Sequence, residues 1–405
     1  MDTLNIAIIG GGASGMMAAI TAARSGANVT LFEANDRIGK KILVTGNGRC
    51  NLSNANINSS YYKSDDKAFI DSCISCFSTK ETIVFFQSIG VLLKEKNGGL
   101  YPVTETASTI LDALRYALAR YQVRIECNSR IESIQKADDY FLISDNSTKF
   151  HKVIVATGLF AGKHTNAAKY GVEIAEKSGH HITKILPALV QLRCEGTYFK
   201  HLAGVRTNCS ISSYSNNTFL ESSEGELQFT DYGVSGIPIF QLSSMISREL
   251  DTNHAVTLRI DFIPWIEKEN FASFLTSRLK VMSDSSMEEF TNGIVHKKIL
   301  QEALKINQIS LKEFAKDTSE KKQISFMNLL KNWNIKVIKT NAFEQAQVCT
   351  GGISLKEITP FFESKKEKNL YFIGELLNID GLCGGYNLQW AWTSGSIAGS
   401  HAALS

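Results

Sequence analysis

The sequence predicts an α/β fold whose parallel sheet is assembled from both ends of the chain. Leu4–Ile9 is a short apolar run typical of a buried parallel strand, and a glycine-rich turn and a helical stretch follow it. Further strand-like runs span Lys152–Gly158 and, close to the carboxyl end, Asn369–Glu375. Because a late strand of this kind cannot stand alone, we expect the last segment to complete the sheet that the first segment begins.

The glycine-rich turn carries the spacing GxGxxG at Gly10, Gly12 and Gly15. Gly10 permits a tight turn, Gly12 admits a pyrophosphate close to the backbone, and Gly15 lets the helix pack on the strand. The amino terminus of the helix offers free N–H groups to phosphates. Glu33 ends the next strand, where a carboxylate accepts hydrogen bonds from ribose hydroxyls and disfavours a 2′-phosphate. The pattern predicts a Rossmann-type dinucleotide-binding domain and disfavours NADP at this turn.

Three later segments favour FAD over NAD as the bound dinucleotide. Arg37–Lys41 resembles the loop that follows the second strand in FAD enzymes of the glutathione-reductase-like superfamily. Ala156–Gly158 resembles the end of that superfamily's return strand, and Gly374–Glu375 resembles its segment near the ribityl chain and pyrophosphate. The resemblance implies a glutathione-reductase-like FAD/NAD(P)-binding Rossmann-type domain.

A narrower resemblance rests on motifs distributed along the chain. They are Thr45–Asn54, Gly98–Pro102, Gly225–Thr230 with Gly233–Gly236, Thr350–Ser354 with Glu357, and Gly384–Ala391. Together these motifs are similar to those of the YhiN-like flavoproteins, a family that includes aminoacetone oxidase-type and BaiN-like proteins. The match covers essentially the whole chain and implies non-covalent FAD.

The chain departs from the family pattern at three places. Asn47 stands where the family usually has glycine, and Asp231 stands where many members have histidine. Lys163–Tyr170 replaces a stretch rich in Gly and Asp, so contacts of that segment are not carried over.

The middle of the chain has a different pattern. Short alternating runs between 190 and 263 predict antiparallel strands, and helical spacing with charged faces follows between 265 and 333. We expect a discontinuous FAD-binding domain at 1–186 and 341–405. The family resemblance implies an inserted β-barrel-like domain at 187–264 and 335–340, carrying a small helical subdomain at 265–334.

Composition narrows the classes of partner. The 405 residues include 43 Lys and Arg against 40 Asp and Glu, a balance that gives no electrostatic reason to expect nucleic acid or an anionic membrane as partner. No apolar run is long enough to span a bilayer and no signal peptide is evident, so we expect a soluble, cytoplasmic protein. The eight cysteines then indicate reduced thiols, and no metal-spaced ligand set occurs. Cys73 and Cys76 form a CxxC that we interpret as buried or half-buried thiols, with a redox pair as the alternative.

Two groups of residues are candidates for the site. Cofactor contacts are expected from Gly10, Gly12, Ala13, Ser14, Gly15, Glu33, Ala34, Lys40, Lys41, Thr45, Gly46, Gly48, Arg49, Cys50, Asn51, Ala156, Thr157, Gly158, Gly374, Glu375, Gly385, Tyr386, Asn387 and Leu388. The catalytic candidates are Arg49, Cys50 and Asn387.

The roles of these candidates follow from their chemistry. The amides of Gly384–Asn387 precede the last helix and are expected to face the N1/O2 edge of the flavin. Arg49 either orients an anionic or carbonyl substrate or forms a salt bridge that shapes its loop. Cys50 is interpreted as a small wall residue rather than a nucleophile.

These observations predict an FAD-dependent oxidoreductase acting on a small organic substrate. The family resemblance leaves two reactions open, oxidation of an amine and NAD(P)H-linked reduction of an enoyl or carbonyl compound. With no second GxGxxG motif, NAD(P)H would bind transiently. A redox-sensing FAD-binding protein without turnover is one alternative. An RNA-modifying flavoenzyme is another, and the near-neutral charge argues against it.

Overall fold

The structure is a computed structural model that describes residues 4–143, 148–163 and 167–405. Two compact units make up the chain. The first consists of Met1–Leu186 and Phe343–Ser405, and the second consists of Pro187–Ala342. Both ends of the chain therefore lie in the first unit.

The chain forms the following helices and strands. The helices are α1 (Ala13–Arg24), α2 (Lys67–Cys76), α3 (Thr79–Ser88), α4 (Ala107–Arg120), α5 (Ala168–Lys177), α6 (Phe199–Leu202), α7 (Ile237–Asp251), α8 (Phe271–Met282), α9 (Met287–Thr291), α10 (Lys297–Ile306), α11 (Glu320–Lys331) and α12 (Tyr386–Leu404). The strands are β1 (Asn5–Ile9), β2 (Asn28–Phe32), β3 (Ser53–Asn54), β4 (Tyr62–Ser64), β5 (Leu93–Lys96), β6 (Gly99–Pro102), β7 (Arg124–Glu126), β8 (Ile134–Ala137), β9 (Tyr140–Ile143), β10 (Lys149–Phe150), β11 (Lys152–Val155), β12 (Ile182–Ala188), β13 (Leu192–Cys194), β14 (Arg206–Ser215), β15 (Thr218–Thr230), β16 (Gly233–Gly236), β17 (Val256–Asp261), β18 (Trp333–Thr340), β19 (Val348–Ile353), β20 (Leu370–Phe372) and β21 (Ile379–Gly381).

A five-stranded parallel sheet forms the centre of the first unit, in the order β20-β11-β1-β2-β7. Ile6, Ala7 and Ile8 of its middle strand are fully buried, as expected for a strand covered on both faces. The late strand β20 pairs with β11, so the carboxyl-terminal segment completes the sheet. The predicted α/β class and Rossmann-type architecture are confirmed.

Helices α1 and α12 pack against each other in backbone contact. A Cβ atom on Gly395 would lie 2.5 Å from the carbonyl oxygen of Ser14, and one on Gly399 would lie 2.5 Å from that of Ala18. Since both contacts advance by one helical turn in the same direction, the two helices run parallel here. The part of α12 that precedes Gly395 therefore extends past the amino terminus of α1.

Two small sheets lie beside the start of α12. The first has the order β3-β6-β5, and the second pairs β4 with β21. Asn54 in β3 donates from its side-chain amide to the carbonyl oxygen of Gly384, 3.0 Å away. Tyr62 in β4 donates its hydroxyl to the carbonyl oxygen of Tyr386 at 2.9 Å. Segments far apart in sequence thus hold the turn that begins α12.

The second unit contains a closed six-stranded barrel in the order β13-β16-β15-β14-β17-β18. Its apolar residues form one buried cluster with those of the helices between β17 and β18, including Phe229, Phe262, Phe326 and Trp333. The barrel predicted within the fold class is confirmed. The treatment of 265–334 as a helical subdomain of its own stays a prediction.

Three features bear on partners and cofactors. In the part of the chain that the structure describes, no helix is long and apolar enough to cross a membrane. Within the same described ranges, no group of His, Cys, Asp and Glu side chains is arranged to hold a metal ion. All eight cysteines are free thiols, and in the CxxC pair Cys73 is buried while Cys76 is exposed.

Candidate functional site

Two positions in and just after the turn before α1 require glycine, one for its backbone angle and one for lack of space. Gly10 has φ +112°, and a Cβ atom there would lie 2.5 Å from the carbonyl oxygen of Ala156. A Cβ atom on Gly15 would lie 1.9 Å from the carbonyl oxygen of Gly10. Gly12 differs, because its φ of −80° suits any residue and a Cβ atom there would meet nothing within 4 Å. Gly12 therefore faces open space at the amino terminus of α1.

Glu33 fixes the shape of this turn. Its Oε2 atom accepts the N–H of Gly11 at 2.9 Å, and its Oε1 atom accepts the N–H of Asn35 at 2.8 Å and its side-chain amide at 2.6 Å. A carboxylate has about four acceptor positions, so these three bonds leave roughly one for a ribose hydroxyl. Ala34 follows Glu33 in a half-buried position.

The loop after β2 is tied to the late strand by Lys41. Its ammonium group lies 2.6 Å from Oε2 of Glu375, while Oε1 of Glu375 accepts the N–H of Cys349 at 2.9 Å. The neighbouring Lys40 pairs instead with Asp36. Of the two predicted lysines, Lys41 thus links the loop after β2 to the segment at Gly374–Glu375, both of which the sequence assigned to the cofactor.

The return strand and the late strand meet at the same place. A Cβ atom on Gly374 would lie 2.5 Å from Oγ of Ser14 in the first turn of α1, and one on Gly158 would lie 3.6 Å from Oε2 of Glu375. Thr157 lies against Gly171 and Gly10, so it also lines this region. The structure therefore brings the first group of predicted residues, those around α1, together.

The amino terminus of α12 is a second glycine turn. Gly384 and Gly385 have φ of +134° and +98°, and a Cβ atom on Gly385 would lie 2.4 Å from the carbonyl oxygen of Ser53. The first turn of α12 contains no acidic residue and no side chain caps it. Its first N–H groups and partial positive charge are therefore available to an electron-rich group.

The loop at 45–51 reaches this second turn through Asn51. Gly46, Asn47, Gly48 and Cys50 all have positive φ, between 54° and 81°. Asparagine tolerates this left-handed backbone better than most residues, which explains why Asn47 fits where the family usually has glycine. Thr45 closes the loop by donating its hydroxyl to the carbonyl oxygen of Ile42 at 2.6 Å.

Asn51 lies between two glycines at the centre of the second turn. Its Oδ1 atom would lie 2.9 Å from a Cβ atom on Gly385, and its Nδ2 atom would lie 2.8 Å from one on Gly99. The same Oδ1 atom is buried and has no hydrogen-bond partner among the residues described. Because a buried acceptor without a donor is costly, this oxygen is suited to a ligand N–H group.

These observations fit FAD. Helix α12 begins at Tyr386 and meets the first turn of α1 at Gly395, a helical rise of about 13 Å. The amino termini of the two helices are thus far enough apart for α1 to bind phosphates while α12 faces the electron-rich edge of the isoalloxazine ring. The buried Oδ1 atom of Asn51 has the acceptor chemistry that a ring N3–H group requires. Leu388 is half-buried in the first turn of α12.

The three catalytic candidates have different surroundings. Arg49 is 56% exposed, and its Nε atom lies 3.9 Å from a carboxylate oxygen of Glu105, a distant and exposed pair that leaves the guanidinium able to move. Cys50 is fully buried, and burial raises the pKa of its thiol to about 11. Asn387 accepts the N–H of Gly381 at 2.8 Å and donates to the carbonyl oxygen of the same residue at 2.7 Å. The amide of Asn387 is thus occupied within its own turn.

Sequence reasoning assigned no role to several residues at the second turn. They are Ser53, Asn54, Tyr101 and Cys383. Tyr101 lies in the recognised motif at Gly98–Pro102, which marked it as a residue of interest. The sequence does not predict that this motif lies close to Gly385. Part of Lys163–Tyr170, the segment where the family pattern is lost, lies outside the described residues.

Comparison with known proteins gives consistent results. The HI0933-like protein Rossmann domain model matches residues 4–401. The chain is 37% identical to a 3-dehydro-bile acid delta(4,6)-reductase of Clostridium scindens, with 98% of each chain covered. It is 27% identical to a ribosomal RNA dihydrouridine synthase of Escherichia coli, covering 97% of this chain and 96% of the other.

Two solved structures share the fold. One is a 3-ketosteroid-delta4-(5alpha)-dehydrogenase from Rhodococcus jostii, with TM-score 0.51, 13% identity and coverage of 99% of this chain and 97% of that one. The other is a 3-ketosteroid delta1-dehydrogenase from Sterolibacterium denitrificans, with TM-score 0.51, 12% identity and full coverage of both chains. At this level of identity the likeness concerns the fold.

Proposed function

Since the chain belongs to the HI0933-like Rossmann domain family and is an FAD-dependent oxidoreductase, we propose that it reduces a carbon–carbon double bond conjugated to a carbonyl group. The substrate we propose is a small alicyclic enone of the 3-oxo steroid type. Of the two reactions that the sequence left open, this choice favours reduction over amine oxidation.

The proposal is carried by one observation, which is the chemistry that the names of whole-length relatives share. A delta(4,6)-reductase of a 3-dehydro compound saturates double bonds in conjugation with a ketone. A dihydrouridine synthase saturates a ring double bond next to a carbonyl. Both names describe addition of a hydride and a proton across an electron-poor double bond, although their substrates differ in size and charge.

The residues around α1 are proposed to hold the adenosine and phosphate end of FAD. The open backbone at Gly12 admits the pyrophosphate to the N–H groups of α1. Glu33 has about one acceptor position left for a ribose hydroxyl. Lys41 and Glu375 fix the walls on which the ribityl chain would lie.

The residues around α12 are proposed to hold the reacting ring. When bound, FAD supplies the hydride that the double bond receives. With FAD bound, the N–H groups of Gly385 and Tyr386 would stabilise negative charge at the N1/O2 edge, and Asn51 would hold the ring through N3–H. Asn387 shapes this turn through its bonds to Gly381.

Reduced nicotinamide is the proposed electron donor. The one dinucleotide turn that the sequence contains is assigned to FAD, so NADH or NADPH would bind transiently at the same ring and leave before the enone enters.

Reduction of uridine in RNA is a second candidate, favoured by the names of the 27% identical relatives. The balance of 43 basic against 40 acidic residues provides little excess charge for a polyphosphate backbone. The 37% identical relative named for a bile-acid derivative supports the small-molecule proposal more strongly.

A half-reaction experiment separates these candidates. The FAD-loaded protein is reduced anaerobically with NADH or NADPH and then mixed with 4-androstene-3,17-dione or a uridine-containing RNA, and the oxidised protein is mixed separately with aminoacetone. We expect rapid reoxidation of the flavin with the steroid alone, and a product heavier by two hydrogen atoms.

The other outcomes are equally informative. Reoxidation by RNA with formation of dihydrouridine would favour the second candidate. Reduction of the oxidised flavin by the amine would favour amine oxidation. Flavin that stays reduced with the steroid and the RNA, and stays oxidised with the amine, would contradict catalysis on these substrate classes.

A further inference from the structure

We propose that Tyr101 is the proton donor of this reaction, giving its phenolic proton to the carbon next to the substrate carbonyl while hydride reaches the far carbon of the double bond. This inference rests on the proposed function, because it assigns a residue to the proton that an enone reductase requires.

The position of Tyr101 connects it to the turn before α12. A Cβ atom on Gly99 would lie 2.9 Å from Cε2 of Tyr101 and 2.8 Å from the amide nitrogen of Asn51. Asn51 in turn lies 2.9 Å from the Cβ position of Gly385. The side chain of Asn51 therefore lies between the tyrosine ring and the turn proposed to hold the flavin, in room that the missing Cβ atoms of Gly99 and Gly385 provide.

The hydroxyl of Tyr101 is not used by the fold. In the described parts of the chain it makes no hydrogen bond, and the ring is half-buried. Other tyrosines differ: Tyr62 donates to the carbonyl oxygen of Tyr386 at 2.9 Å, and Tyr371 lies 3.1 Å from Nδ1 of His401. A phenol beside the site with an unengaged hydroxyl is available to a substrate.

Charges near Tyr101 suit both states of the phenol. Burial raises its pKa, with further increases from Cys383 and Glu105, while Arg49 acts in the opposite direction. The phenol therefore carries its proton at neutral pH. Lys94 is the direct cross-strand partner of Tyr101, so its side chain leaves the sheet on the same face. Lys94 is itself paired with Glu105 at 2.6 Å, so Arg49 is the cation that favours the phenolate.

The balance of the step is complete. The hydride from reduced FAD forms a C–H bond at the far carbon, and the π electrons move toward the carbonyl group. The carbon next to the carbonyl then takes the proton as the phenolic O–H bond breaks. The flavin is oxidised, the enone is reduced by two electrons, and the phenolate regains a proton from water. Arg49, whose charge lowers the pKa of Tyr101, favours the phenolate in the interval.

Cys50 and Cys383 are the alternative acids near the turn. Cys50 is fully buried and has no surface for a substrate. Cys383 is half-buried, and burial raises the pKa of its thiol, so it also carries a proton at neutral pH. Among the described residues no cationic side chain acts on the pKa of Cys383, whereas Arg49 lowers that of Tyr101, and this difference is the physical reason to prefer Tyr101.

The test compares the FAD-loaded wild type with Tyr101→Phe, Cys383→Ala and Tyr61→Phe. Tyr61 is the matched control because its ring stacks on Tyr386 at 4.6 Å beside the same turn. We expect Tyr101→Phe to keep its FAD, to be reduced by NADH or NADPH at the wild-type rate, and to bind 4-androstene-3,17-dione in the oxidised state within about threefold of wild type. Reoxidation of its reduced flavin by the steroid should be slower by about 10²-fold or more.

A second measurement follows the proton itself. In deuterium oxide, short reactions of the wild type should place deuterium on one face of the carbon next to the carbonyl, and Tyr101→Phe should lose that selectivity.

The outcomes separate this inference from the proposed function. Wild-type reduction of the enone with equal rates in Tyr101→Phe overturns the role of Tyr101 and leaves the function standing. A selective loss in Cys383→Ala or Tyr61→Phe overturns it in favour of the other residue. Failure of the wild type with every enone overturns both.

Discussion

The two glycine turns of the first unit, at the starts of α1 and α12, differ in how the chain builds them. The turn before α1 takes its backbone from Gly10–Gly15 and is held by Glu33, one strand later, while Ala156 and Gly374 pack against it. The turn before α12 is made from Gly384 and Gly385, but its walls come from Asn51 and Ser53 at the other end of the chain.

Whether a turn is built from contiguous or from distant segments indicates which function it can serve. A contiguous turn forms whenever its own sequence folds, which suits the retention of a common cofactor. A turn whose walls come from distant segments can change those walls without changing its own backbone, which suits the recognition of a particular substrate. We therefore expect changes at α1 to act on FAD retention and changes around α12 to act on chemistry.

The largest loss of stability is expected where helices α1 and α12 contact each other. Gly399→Ala places a Cβ atom 2.5 Å from the carbonyl oxygen of Ala18, so α1 and α12 must move apart. We expect a loss of about 1–3 kcal/mol in the free energy of unfolding and a lower FAD content. Denaturant unfolding and flavin absorbance measure both quantities. Ser400→Ala, half-buried on the same helix, is the control and should match wild type.

Gly12→Ala should separate folding from cofactor retention. Its Cβ atom meets nothing within 4 Å and its backbone suits alanine, so the FAD-free protein should unfold at the wild-type temperature. The methyl group would instead meet the pyrophosphate, and we expect FAD affinity to fall by about tenfold or more, equivalent to roughly 1.4 kcal/mol. Titration of the FAD-free protein measures this affinity. Wild-type affinity in the variant would place the phosphates elsewhere.

The smallest effect is expected at Cys50, beside the second turn. Burial raises the pKa of this thiol to about 11, so it stays protonated at neutral pH and takes no part as a thiolate. Cys50→Ser should keep its FAD and reduce enone at a rate close to that of wild type. Alkylation of the native protein with iodoacetamide at pH 8 should leave Cys50 unmodified. Loss of flavin reduction with FAD still bound would make the thiol a redox participant.

The sequence predicted the first turn well because its information is local. GxGxxG spacing, a strand before it and an acid after the next strand define the turn without knowledge of any distant contact. Glu33 lies where that pattern places it, and the late strand at Leu370–Phe372 pairs as expected.

The second turn was less predictable because its contacts join residues about 330 positions apart. Asn387 was a catalytic candidate from its place in a motif, yet its amide bonds to Gly381 within the same turn. Tyr101 belonged to a recognised motif but received no role, since nothing in the spacing relates it to Gly385. Pairing of β3 with β6 is the physical step that brings them together, and short strands of this kind leave little periodicity to detect.

The central claim is that one FAD has its phosphates at α1 and its ring at α12, and the midpoint potential of the bound flavin tests it most directly. Leu388→Glu adds a carboxylate to the first turn of α12, and Leu404→Glu adds one at the far end of the same helix, where the side chain is 75% exposed. Negative charge near the ring disfavours the anionic reduced flavin. We predict that Leu388→Glu keeps its FAD and lowers the potential by roughly 30 mV or more relative to Leu404→Glu, equivalent to about 1.4 kcal/mol for a two-electron couple. Equal potentials in the two variants, with FAD bound in both, would contradict the placement of the ring at α12.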